Sequence, residues 1–211
     1  MNKILINEMG FTLGRNKELN QKIKDERREQ ILSKALMLFA TKGLAATKIT
    51  DIASAAGMSQ GLLYHYYRSK EDIFVELIRS AFERMNTASL ELEKLPLSPR
   101  EKIRLAIEKL LQGLEDNEDT GRYYLLIAVA TASEAIPAAA KTIIQKENMV
   151  PYEVITRIIT AGQKDGSIKD YEAQDLALVF WTSMKGLALH QAVHGKKFKM
   201  PDADILMSMF I

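Results

Sequence analysis

The residues with the most chemistry to offer lie together in "GMSQGLLYHYYRSK" (57–70), where Tyr64, His65, Tyr66 and Tyr67 are consecutive. Gln60 stands just before them and Lys70 just after. Phenols, an imidazole, an amide and an ammonium make no nucleophile–base pair, but each is a hydrogen-bonding group of the kind that meets a polyanion. Tyrosine hydroxyls and imidazole N–H groups donate to phosphate oxygens, a lysine adds charge, and a glutamine amide pairs bidentately with adenine. A second candidate is His190 with His194, four apart, as two imidazoles sharing a metal on one helix face would be. No third ligand is identifiable, and Gln191 stands where a zinc hydrolase needs a glutamate, so the pair reads as ordinary interface or surface histidines and neither metal nor cofactor is expected. No carboxylate dyad or glycine-rich phosphate loop is visible, which leaves an all-α enzyme as the weaker alternative.

Helical periodicity dominates, so the elements carrying these groups are read as helices. "DERREQILSKALMLFATKG" (25–43) places Ile31, Leu32, Ala35, Leu36 and Phe39 on one stripe and ends with Gly43. "TKITDIASAAG" (47–57) follows with Thr47 as N-cap, Ile49, Ile52 and Ala56 inward, and Gly57 supplying the left-handed backbone that stops it. Ser59 caps a third helix ending near Tyr66 or Tyr67. A fourth, 69–85, opens with Ser69 and Asp72 at capping-box spacing. Two short helices around a glycine turn form a helix-turn-helix when they cross steeply, with the second as the reader. Gln60 and Gly61 would then meet base edges, and Tyr64, His65 and Lys70 would contact phosphates. Tyr67 and part of Tyr66 would close the small core against Phe39 and Phe74.

The bulk numbers suit such a protein. The 211 residues are 47% hydrophobic and 27% charged, a globular composition, and the absence of cysteine removes disulfides and thiolate sites. That fits a cytoplasmic protein. "LLIAVATA" (125–132) and "LALVFWTSMKGLAL" (176–189) are too short or charge-interrupted for a membrane span, and no signal peptide is read at the start. The net charge of +2 is uneven: residues 1–86 hold 14 Lys and Arg against 10 Asp and Glu, and residues 87–211 hold 15 against 17. The basic excess therefore lies in the half with the ring cluster.

The run "ILSKALMLFATKGLAATKITDIASAAGMSQGLLYHYYRSKEDIF" (31–74) resembles the DNA-binding domain of the TetR family of bacterial regulators. The likeness is carried by F-A-x-x-G (39–43), by "TKITDIASAAGMS" (47–59), by G-x-L-Y-H-Y-Y (61–67) and by S-K-E (69–71), about a fifth of the chain. It implies operator contacts from Gln60, Gly61, Tyr64, His65, Tyr66 and Lys70, with Lys48 and Thr50 of the preceding helix; Ser59, the cap of the reader, is counted with them. Leu62 departs from the threonine common in the family.

"ELEKLPLSPREKI" (91–103), with two prolines, is the clearest boundary, and Ser98, Pro99 and Glu101 form a helix start. Further helices are expected near 99–115, 119–134, 137–148, 151–164, 170–194 and 202–210, with Pro151 either dividing or kinking one of them. The expectation is an all-α protein of about nine helices: an N-terminal extension (1–22), either a mobile arm or ordered against the body, a DNA-binding domain (23–70), a connecting helix (71–90) and a ligand-binding and dimerisation domain (91–211). The resemblance implies homodimerisation through the last two long helices, with which the wide apolar face of 170–195, with Gly186 and Ala188, and the nearly all-apolar side of "DADILMSMFI" (202–211) agree. Tyr123, Tyr124, Tyr152, Phe180, Trp181 and Met184 are the side chains expected to line an apolar pocket. The partners expected are double-stranded operator DNA and a mainly hydrophobic or aromatic effector that releases a repressor. A DNA-binding protein without an effector, governed by a protein partner, is the alternative.

Overall fold

The computed structural model describes residues 3–211, and for residues 3–18 and 196 the backbone alone. All regular structure among the described residues is helical. Helix α1 (Lys3–Ala46) is broken at Gly43, whose φ of +77° an L side chain rarely adopts. The side chains of most of the expected extension (1–22) lie outside the described residues. Helix α2 (Ile49–Ala55) and helix α3 (Gln60–Tyr64) are joined through Gly57 at φ +64°. The Ser59 hydroxyl accepts the Leu62 amide at 3.2 Å to start α3.

Thr47 is not the cap of α2. It is fully buried, and its hydroxyl donates to the Gly43 carbonyl at 2.7 Å, closing the frayed end of α1. The cap position falls to Lys48, whose backbone amide donates to the Asp51 carboxylate at 3.1 Å.

Helix α4 (Lys70–Lys94) runs nine residues beyond the expected end at Met85. Nothing in "NTASLELEK" (86–94) breaks a helix, and the stop comes only where Pro96 holds Leu95 extended (φ −59°, ψ 142°). Helix α5 (Pro99–Asp116) opens with the expected capping box, Ser98 with Glu101. Helix α6 (Glu118–Ala132) and helix α7 (Ala138–Glu147) follow. Helix α8 (Val150–Lys164) is separate from α7, so Pro151 begins a helix and does not kink one. Helix α9 (Ala173–His194) and the short helix α10 (Ala203–Met207) complete the chain.

Two cores form. The first joins α1, α2, α3 and the first half of α4, with Phe39 edge-on to Phe74 at 5.5 Å, and continues into α6 and α7 through Leu126, Ile127 and Ile144. The second packs α5, α8, α9 and α10, with Phe180 edge-on to both Trp181 and Phe210. The Trp181 indole N–H donates to the Pro151 carbonyl at 3.1 Å, so the largest side chain of this core is polar-satisfied. Helices α6 and α9 cross at Gly121, where a Cβ would meet the Gln191 side chain and the Ala188 carbonyl, the latter at 3.1 Å. Gly186 instead faces open space.

The Gly121 crossing is testable against a helical glycine with room. Gly121→Ala should lose about 1–3 kcal/mol, the usual result of overpacking a filled core. Gly113→Ala, whose Cβ would make only an ordinary contact with Thr120 at 4.0 Å, should gain up to about 1 kcal/mol from helix propensity. Chemical denaturation of the two variants beside the parent decides it; equal stability of the two would remove the tight crossing.

Candidate functional site

Helix α3 is only five residues long, so its placement comes from its surroundings and not from its own hydrogen bonds. Leu63, fully buried, is its anchor, and Tyr67 follows at 5% exposure. With that side inward, Ser59, Gln60, Gly61, Leu62, Tyr64 and His65 are all exposed, and so are Lys48 and Thr50 at the start of α2. The helix-turn-helix thus presents an outer side that is polar apart from Gly61 and Leu62. Gln60 donates through Nε2 to the Tyr64 hydroxyl at 3.3 Å, one turn apart on the outer side of α3. A Cβ at Gly61 would touch nothing within 4 Å, so this position is left clear on the outside.

The rings divide as the spacing predicts. Tyr64 and His65 face out, Tyr66 is half-buried against the first core, and Tyr67 is inside it. Tyr67 lies under the Arg28 guanidinium, 5.3 Å from the ring centroid, and burial, reinforced by Glu76, pushes its phenol well above the ordinary tyrosine range. Arg28 in turn pairs with Glu76 at 2.5 Å, tying α1 to α4 beside the reading helix.

Lys70 behaves differently from expectation. Its ammonium donates to the carbonyls of Leu44 (2.8 Å), Ala45 (3.2 Å) and Thr47 (2.8 Å), which uses all three of its hydrogens. The broken end of α1 leaves these carbonyls without helical partners, and a cation is what such an end attracts. Lys70 is therefore a clamp between α4 and the α1–α2 junction in this structure.

Behind the helix-turn-helix, α4, α5, α6, α8 and α9 surround a cavity of about 520 Å³ that opens to solvent beside α4. Tyr123, Tyr124, Phe180 and Trp181 line it; Tyr152 and Met184 do not. Met184 is packed in the second core at 1% exposure, and the Tyr152 hydroxyl accepts from Lys185 at 2.9 Å. Burial raises the Tyr124 phenol, and no protein group among the described residues bonds its hydroxyl. Residues that spacing did not single out complete the wall: Ala81, Met85, Ser89 and Leu92 of α4, one side of that helix at helical intervals. The periodicity of α4 carries this signal, but the same apolar positions would read equally as core.

A link between α6 and α1 was also not legible. The Ser33 hydroxyl donates to the Asp119 carboxylate at 3.1 Å, and Asp119 is held by Arg122 at 2.6 Å. Thr120 and Tyr123, one and four residues on, face the cavity. His190 and His194 lie exposed near the end of α9, stacked at 5.7 Å, with Phe198 stacked on His190 at 5.6 Å.

No helix among the described residues is long and apolar enough to cross a membrane. Residues 31–77 match the family described as "Bacterial regulatory proteins, tetR family". The HTH-type transcriptional repressor KstR2 of Rhodococcus jostii (strain RHA1) is 29% identical over 157 residues, 74% of this chain and 75% of that one. The HTH-type transcriptional regulator AcrR of Shigella flexneri is 33% identical over 104 residues, 49% of this chain and 47% of its own. The solved structure of the ketosteroid transcriptional regulator KstR2 of Mycobacterium tuberculosis superimposes with a TM-score of 0.69 at 21% identity, over 87% of this chain and 90% of that one. These proteins are regulators and not enzymes, and the helix-turn-helix motifs of 31–74 fall inside the matched segment. Residues 31–77 thus carry the DNA-binding domain of the TetR family, and over about three quarters of its length the chain is similar to a transcriptional repressor with a helix-turn-helix.

Proposed function

We propose that this protein is a homodimeric repressor that reads a palindromic operator through α3 and leaves it when a small, largely apolar molecule enters the cavity behind α4. The observation that carries this reading is the double duty of α4. Its first residue is clamped to the helix-turn-helix by Lys70, while Ala81, Met85, Ser89 and Leu92 form a wall of the cavity. An occupant that shifts α4 must therefore shift the mounting of α3. Two reading helices fit successive major grooves only when they stand about 34–36 Å apart, so a small swing of α4 in each subunit weakens the complex.

Within this reading, residues 23–70 form the DNA-binding unit, 71–90 the connection and 91–211 the effector and dimer unit, with 1–22 as an extension. Gln60 and Gly61 meet bases; Ser59, Tyr64, His65, Tyr66, Lys48 and Thr50 position the protein on phosphates. Dimerisation uses α8 and α9. The apolar part of that face is on α9, where Leu178, Leu189 and Val193 are 51%, 46% and 65% exposed and Gly186 lies open between them. A single stripe of that length exposed on one helix is what a partner helix covers. The curated relative KstR2 is a repressor by name, which supports the direction of control.

Selection of bound sequences from a random duplex pool, followed by mobility shifts in rising salt, should recover a palindrome bound by two subunits. A pool with no preference would overturn the operator reading. Gln60→Ala should reduce discrimination at one position by about 1–3 kcal/mol with little effect on other sequences. Lys70→Met, which keeps the stem and removes the clamp, should weaken all duplexes about tenfold, equal to 1.4 kcal/mol, while leaving the salt slope unchanged. A slope that falls by about one unit would return Lys70 to the phosphates. Leu189→Glu should produce monomers by light scattering and lose operator affinity; a dimer that survives it would move the interface away from α9.

A further inference from the structure

The charges around the cavity differ from its walls. Its lining is apolar except for a few hydroxyls and three ionisable side chains: Arg84 on α4, Glu91 on α4 and Lys109 on α5, all of them exposed at the opening. Glu91 is already neutralised by Lys94 at 2.9 Å. The two cations are not. Arg84 lies over the Tyr123 ring, 5.3 Å from its centroid, and Lys109 donates only to the Gln112 side chain at 3.1 Å. Neither has a carboxylate within 4 Å among the described residues, unlike Arg28, Arg104, Arg122 and Arg157, each of which is held by one.

We propose that the cavity takes a carboxylate-terminated apolar molecule, its hydrocarbon body between Tyr124, Ile155, Phe180 and Trp181 and its carboxylate at the opening between Arg84 and Lys109. This rests on the cavity being the effector site. The arrangement separates the two ends of the ligand by physical chemistry. An interior without a charged group stabilises hydrocarbon and penalises an ion, whereas a half-solvated guanidinium and ammonium gain from an anion without forcing it out of water. A cation-terminated amphiphile would meet Arg84 and Lys109 with the wrong sign, since the one carboxylate at the opening is already paired. The volume of about 520 Å³ falls in the ordinary range for a small-molecule site, about 300–1,000 Å³. The Tyr124 hydroxyl, unbonded by protein, offers one polar contact inside for an oxygen along the body of the ligand.

The protein supplies its own reporter, because Trp181 is the single tryptophan and lines the cavity. Fluorescence titrations with decanoate, decanol and decyltrimethylammonium at one ionic strength compare three head groups on one chain. Decanoate is expected to bind at least about fivefold more tightly than decanol, with the ammonium weakest. Arg84→Gln and Lys109→Gln should each narrow the gap and the double variant should close it, with decanol affinity unchanged within about twofold. Both side chains are exposed, and thermal melts of the variants verify that the fold is kept. Decanol or the ammonium binding as tightly as decanoate would overturn the charge assignment while leaving the cavity as a ligand site, and so would a gap that persists in the double variant. Failure of all three to perturb Trp181 would overturn both the carboxylate ligand and the effector reading beneath it.

Discussion

Three backbone carbonyls at the broken end of α1 converge on one ammonium, and the rest of the architecture is arranged around that point. Gly43 interrupts α1 with a positive φ, so the chain leaves the helix with Leu44, Ala45 and Thr47 carbonyls that no helical amide can reach. Of these residues only Thr47 is buried, and a buried carbonyl left without a partner costs about 1–3 kcal/mol. Lys70 satisfies all three from the first turn of α4. The consequence is geometric more than energetic: the start of α4, the end of α1 and the entry to α2 are fixed to one another, and α3 hangs from that junction by Gly57 and Leu63. Without Lys70, the polar ties left near α3 would be those such as the Gln30 amide on the Ala56 carbonyl at 3.0 Å.

From this junction two helices carry position toward the cavity. Helix α4 runs directly into its wall. Helix α6 does so on the other side, with Asp119 on Ser33 of α1 and Thr120 and Tyr123 on the cavity. The first core reflects the same arrangement, because Leu126 and Ile127 of α6 belong to it along with Phe39, Phe74 and Leu77. The DNA-facing helices are thus not a bead on a flexible string. They share a packed face with the helices that enclose the cavity, and packed faces respond to displacement by shifting between discrete fits and not by gradual deformation.

Much of this was legible in the sequence where one residue type answers one local need. Gly57, Ser59, Ser69, Ser98 and Pro99 mark helix ends because capping and positive φ restrict the choice of residue. The outward rings could be separated from the inward ones because a five-residue helix anchored by Leu63 leaves few alternatives. What could not be read depends on contacts distant in sequence. Lys70 has the same local appearance whether it meets phosphate or carbonyls, and its partners lie 23 to 26 residues earlier. Thr47 looks like a cap until the broken α1 claims its hydroxyl. Tyr152 and Tyr124 are equivalent as types, yet the packing of α8 on α9 turns Tyr152 toward Lys185, whereas Tyr124 of α6 lines the cavity. The positions of Arg84 and Lys109 follow from where α4 and α5 meet, which no spacing within either helix reveals.

The polar links around the helix-turn-helix also differ in kind from its core, and this bears on how control could work. Arg28–Glu76, Ser33–Asp119 and Arg122–Asp119 are partly solvated, and such surface pairs contribute about 0–1 kcal/mol each. The apolar contacts beneath them, with Ile31, Leu36, Ile52, Leu63 and Ile73 fully buried, are far costlier to open. A perturbation arriving through α4 or α6 therefore breaks and remakes the polar links before it deforms the core, so α1, α2 and α3 move as one body. On the proposed effector reading, an occupant of the cavity shifts that body only by the difference in its affinity for two placements of α4, which ties the strength of control to how far the occupant fails to fit the placement seen here.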